Sequence, residues 1–148
     1  MADKSTTNLI TSLEEFFKKA PVLPPNVREI IVRFTPILSL VFGVLGIITG
    51  ALGLLSLTIF APLAVMLNRY SGGYGNGFIA TLTLLVSSIL LLMAYPGVKA
   101  RKIHGWEMLF WSEAATIVGS IIQLDIVSAL LSALIGFYIL FQVKSYYK

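Results

Sequence analysis

Few residues in this chain have the type and placement to do chemistry, and Glu113 is the foremost. It lies in an apolar run over 105–123, about eight residues or roughly 12 Å from its start at helical pitch. A carboxylate at that depth in a bilayer costs a few kcal/mol unless it is paired, hydrated or protonated. Thr116, Ser120 and Gln123 follow it on the same helical face, so these four residues form a candidate intramembrane polar site. Two chemistries fit: a protonatable or cation-binding site, or a carboxyl held by hydroxyls of a neighbouring span. Thr81, Ser87 and Ser88 are available for the second.

His104 and Glu107 stand three apart at the start of the same run, beside Trp106. One histidine and one carboxylate are too few for a metal cage, so a solvated pair among headgroups is expected, with Trp106 as an interfacial anchor. The chain has no cysteine and a single histidine. Glu107 and Glu113 are six apart and point about 120° away from each other on a helix. Nucleophilic, metal and paired-carboxylate templates therefore lack parts, and no enzymatic activity, cofactor or metal is expected. Gly73-Tyr74-Gly75 matches three residues of the potassium-channel filter, but Ser71 and Gly72 stand where that filter has threonine and valine. Arg69 would also put positive charge at a cation entrance, so a glycine-rich loop over 70–77 is the expectation.

Small residues make a second constellation. Ser39, Gly43, Gly46, Gly50 and Gly53 fall within about 80° of one another on a helix. Such a stripe lets another backbone approach closely and gain van der Waals contact that lipid does not match. Ser128, Ser132 and Gly136 repeat the device near the C-terminus, and the two stripes are candidates to face each other.

The elements that carry these residues follow from composition. Apolar residues make up 57% of the 148, charged residues 12%, and mean hydropathy is +0.88. Soluble domains carry roughly 25% charged residues, and a chain this short cannot enclose so much apolar side chain in its own core. The surplus must face lipid. We expect an all-α integral membrane protein with two regions. Residues 1–26 read as a cytoplasmic amphipathic helix and proline-rich linker. Residues 27–148 read as four transmembrane spans in two hairpins, at about 30–56, 78–96, 105–123 and 126–143.

Leu9, Ile10, Leu13, Phe16, Phe17 and Ala20 form the apolar stripe of the first helix, expected to lie in the headgroup layer. Asn26 and Glu29 resemble a cap for the next helix. Residues 34–67 carry no charge, too long for one span and too short for two; 57–68 reads as either a helix extension or an interfacial half-helix. Pro96-Gly97 is expected to end the second span. The polar N-terminus lacks the apolar segment of a signal peptide, so the first span is expected to act as the insertion signal.

Ten of the eleven basic residues, all but Arg69, fall on one side of this arrangement. The positive-inside rule makes that side cytoplasmic, with both termini inside and the protein in the plasma (inner) membrane. The net charge of +4 is then an orientation signal, and no nucleic-acid partner is expected. Four short-looped spans with one intramembrane glutamate resemble the architecture of the small multidrug transporters. That family keeps its glutamate in the first span, where this chain has none, so the resemblance transfers no residue. The leading expectation is a structural or interaction protein, self-associating or scaffolding a larger membrane assembly. Its partners would be the bilayer and a second copy or another membrane protein. The alternative is a small channel or proton-coupled transporter using Glu113. Reporter fusions at Lys148 and within 97–104 should read cytoplasmic and a fusion at Gly73 external; a cytoplasmic signal at Gly73 would overturn both span count and orientation.

Overall fold

The computed structural model describes residues 4–67 and 73–148, and within them every regular element is helical. The helices are α1 (Lys4–Phe17), α2 (Pro25–Leu67), α3 (Gly73–Lys99), α4 (Ile103–Ile122) and α5 (Ile126–Val143), followed by a 3-10 turn at Lys144–Tyr146. Three stretches are long and apolar enough to cross a membrane: Pro25–Phe60, Gly77–Lys99 and Ile126–Tyr146. That is the length and composition of an integral membrane protein. α4 has 20 residues, about 30 Å of helix, but Glu107, Glu113 and its hydroxyls dilute its hydropathy below that of the other three.

Several helix ends differ from expectation for one physical reason: backbone groups in an apolar setting must be satisfied within the helix. α2 continues unbroken through Pro36 and Pro62 to Leu67, so 57–67 is a helix extension. Its 43 residues span about 65 Å, roughly twice a hydrocarbon core. Beside Pro36, the Thr35 hydroxyl donates to the Ile31 carbonyl at 2.6 Å and Ser39 to the Pro36 carbonyl at 3.0 Å. Asn26 is not the cap of α2. The helix begins at Pro25, whose missing N–H costs nothing in a first turn, and the Pro24 carbonyl receives the Arg28 amide. Glu29 instead pairs with Arg101 of the α3–α4 connection.

α3 runs through Pro96 to Lys99 rather than ending at 96. At its N-terminal end, 68–72 of the expected glycine loop lie outside the described residues, while Gly73, Gly75 and Gly77 are helical. The filter-like Gly73-Tyr74-Gly75 is therefore part of a helix.

α3 and α4 close with the same device. The amides of Arg101 and Lys102 reach back to Val98 and Gly97, and those of Leu124 and Asp125 reach back to Ile121 and Ser120. This pattern requires a left-handed residue at the turn, supplied by Arg101 (φ 52°) and Leu124 (φ 60°) where glycine is usual. Asp125 then caps α5 by accepting from the Ser128 amide at 3.1 Å, and hydrogen bonds from Ser128 hold its carboxyl below the usual range.

The helices pack in chain order, α2 on α3, α3 on α4 and α4 on α5, while α2 and α5 scarcely meet. The glycine stripe of α2 therefore faces α3, not the small residues of α5. A methyl at Gly46 would strike Ser88, at Gly50 Leu85, at Gly43 Leu92, and at Gly53 it would press on Thr81. On the other flank of α3, Gly119 of α4 lies on Thr83, and Gly97 lies backbone to backbone against Gly105. Ser128 is exposed at the first turn of α5, and Ser132 is half-buried.

Bulk on this seam should cost about 1–3 kcal/mol by overpacking. Gly46→Leu and Gly105→Leu should lower the melting temperature in detergent, whereas Ile48→Leu, on an exposed face, should not. Equal shifts at all three positions would show that the seam does not hold the bundle.

Candidate functional site

Because α2 and α5 stay apart, a groove of about 730 Å³ remains between them, with α3 and α4 behind it. Phe42, Leu38, Leu91 and Ile139 give it apolar walls; Thr35, Ser39, Thr49, Ser87, Ser112 and Thr116 add hydroxyls. Glu113 is its single ionisable group. The carboxylate rests over Gly136 of α5, where even a methyl group would strike it. Gly136, read from sequence as a packing residue, is in this structure the space that Glu113 occupies. Among the described residues, no hydrogen bond or ion pair reaches that carboxylate.

The expected polar face is divided by the packing. Thr116 joins a seam with α3: its hydroxyl meets that of Ser87 at 2.9 Å, and Ser112 donates to the Ser87 carbonyl at 3.0 Å. Ser87 returns a longer bond of 3.3 Å to the Ser112 carbonyl. Ser88 donates to Leu84 of its own helix and Thr81 to Gly77, so none of the three hydroxyls proposed for Glu113 holds it. Gln123 folds back onto the Gly119 carbonyl at 3.0 Å. Ser120 is half-buried and does not line the groove. The sequence reading passed over Ser112 and Gly119. With Thr116 they follow a 112, 116, 119 spacing, a small-residue face one step around the helix from Glu113.

The residues expected at an interface separate too. His104 and Glu107 lie 3.7 Å apart in an exposed pair. Trp106 is a core residue, 1% exposed, whose indole N–H donates to the Leu140 carbonyl at 2.8 Å. An amphipathic ring can be buried once its one donor is satisfied. It stacks with Phe110 and meets Phe141, which in turn stacks on Phe17 of α1. Phe16 points away and is 65% exposed, so two neighbouring phenylalanines have opposite fates.

Lys144 closes this aromatic cluster, its ammonium 5.2 Å from the Trp106 ring and paired with Glu14. The linker after α1 is fastened to α5: Tyr138 and Gln142 donate to the Pro21 carbonyl, and the Leu23 amide donates to Gln142. Comparison with protein-family models, curated protein sequences and solved structures finds no match to this chain. The class defined by fold and site is thus a helical membrane protein with one carboxylate in an apolar groove.

The Lys144 hydrogen bond holds the Glu14 carboxyl below its ordinary 4.5. A carboxyl depressed by folding adds stability above its unfolded pKa and loses it as pH falls through the lower folded value. Docking of α1 should therefore be intact at neutral pH and loosen in acid below about 4.5. In a Trp111→Phe background, Trp106 emission should shift on acidification, and Glu14→Gln should remove most of that shift. Identical profiles with and without Glu14 would rule out this pair as the clasp.

Proposed function

We propose that this is a four-span, non-enzymatic membrane protein of the small channel or proton-coupled transporter type, with Glu113 as its proton or cation site. The observation that carries it is the groove: about 730 Å³, apolar walls, and one carboxylate without a protein partner among the described residues. That volume lies within the roughly 300–1,000 Å³ of small-molecule sites, which pair apolar walls with a few polar groups. A carboxylate left without a donor in such a setting calls for a guest that brings one: a proton, a cation, or an apolar molecule bearing positive charge.

The fourth span in this reading is α4, which has the length and lies packed between two apolar helices. Both termini and the 99–102 connection lie in the cytoplasm, where the basic residues gather. α1 lies at that surface. Ile10, Leu13 and Phe17 pack on the bundle, and the exposed Leu9 and Phe16 are left to enter the headgroup layer.

A second reading is favoured by the separation of α2 and α5, which leaves the groove open along its side. There the protein is of the interaction type, and a helix of a second copy or of a larger membrane partner supplies the donor to Glu113.

Proteoliposomes separate the two. Wild-type protein should carry pH-dependent flux of protons or of a lipophilic cation, and Glu113→Gln should melt normally yet lose that flux. Absence of wild-type flux for protons, common cations and a panel of lipophilic cations would sink the transport reading. Cross-links between copies through cysteines placed at Phe42 would then establish the second.

A further inference from the structure

A cleft of about 440 Å³ lies between α2 and α3, on residues separate from those of the Glu113 groove. Arg33 of α2, Lys99 at the end of α3 and Arg101 of the connection after it all line this cleft, and no carboxylate does. Glu29, outside the lining, offsets Arg101 at 2.5 Å. Arg33 and Lys99 are exposed and have no acidic partner among the described residues. The Lys99 ammonium lies 5.7 Å from the centre of the Tyr95 ring and 3.5 Å from its hydroxyl, and Tyr95 is itself part of the lining.

The rest of the lining is apolar, and the two kinds of surface are ordered along the helices. Arg33 is the last charge before the uncharged run over 34–67, and Lys99 ends the apolar stretch Gly77–Lys99. Pro36 and Ile37 lie about one turn further into that uncharged run, and Tyr95 about one turn back into that apolar stretch. Ile37 is 56% exposed, whereas Val32 and Val98 are buried. The cleft is therefore cationic where the two helices leave their apolar stretches and apolar where they enter them. A soluble anion matches only the first part. An amphiphile with an anionic head matches both.

We propose that this cleft binds one anionic phospholipid, with its phosphodiester among Arg33, Lys99 and Arg101 and its first acyl carbons along Pro36 and Ile37. A guanidinium fork matches two phosphate oxygens, and the lysine adds a compact point charge. Basic clusters at the ends of membrane helices favour anionic headgroups; a zwitterionic lipid brings a cation of its own into a site that already holds three. Arg33 and Lys99 belong to different helices, so the bound headgroup also fastens α2 to α3 at this end.

The test uses the full chain in neutral detergent, with native mass spectrometry of added phosphatidylglycerol or phosphatidylcholine carrying identical acyl chains. Wild-type protein should retain phosphatidylglycerol in preference, saturating at one tightly held molecule per chain. Arg33→Gln and Lys99→Gln should each weaken that retention about fivefold and leave phosphatidylcholine unchanged. Lys19→Gln combined with Lys102→Gln removes two exposed charges from outside the cleft and should keep the preference intact. Inorganic phosphate, against chloride at equal ionic strength, should not displace the lipid. Should either cleft variant fail to fold, the other, on a different helix, decides. Equal retention of the two lipids by wild type, equal loss in the Lys19→Gln, Lys102→Gln protein, unchanged retention in the cleft variants, or displacement by phosphate overturns the proposal.

Discussion

Close approach of α3 to the helices on both its sides is the contact on which the rest of this structure depends. Lipid is as apolar as leucine, so helices in a bilayer gain little by hiding apolar side chains from it. What remains is dense van der Waals contact and hydrogen bonding, and both need small residues. Gly43, Gly46, Gly50 and Gly53 bring α2 onto α3; Gly97, Gly105 and Gly119 bring α4 onto its other flank. The Ser87–Ser112–Thr116 hydrogen bonds lie within the second of these contacts.

From that seam the groove follows. α2 is committed to α3 and α5 to α4, so no surface is left to draw α2 and α5 together. The gap opens beside Glu113, the one residue of α4 whose charge is hard to place against lipid. Gly136 completes the arrangement by leaving room for the carboxylate. Gly136 and the Glu113 carboxylate are thus two halves of one packing feature.

The end of the bundle near the termini is built on a different principle. There Phe17, Trp106, Phe110, Phe137 and Phe141 stack into a compact aromatic core, and Lys144 sits between that core and Glu14. The C-terminal residue joins in: the Ile103 amide donates to the Lys148 carbonyl and the Lys148 amide to Arg101. α1, its linker and the tail are therefore one tied unit.

The sequence by itself determined the helical class, the apolar spans and the prominence of Glu113, because each depends on local hydropathy or on one residue's cost in lipid. α5 and most of α4 were legible residue by residue, their ends marked by Asp125 and by the basic connection. Helix length was harder: Pro62 and Pro96 read as the places where regular helix fails, yet an apolar surrounding penalises an open backbone more than a proline in a helix. Only the tertiary structure decided which stripe meets which helix, since Gly46 carries no mark of whether α3 or α5 will cover it. It also decided that Thr116 turns to Ser87 while Glu113 turns to the groove, and that Trp106 is buried while Phe16 is exposed. Periodicity gives an angle around one helix axis. The partner at that angle is set by how the other helices pack.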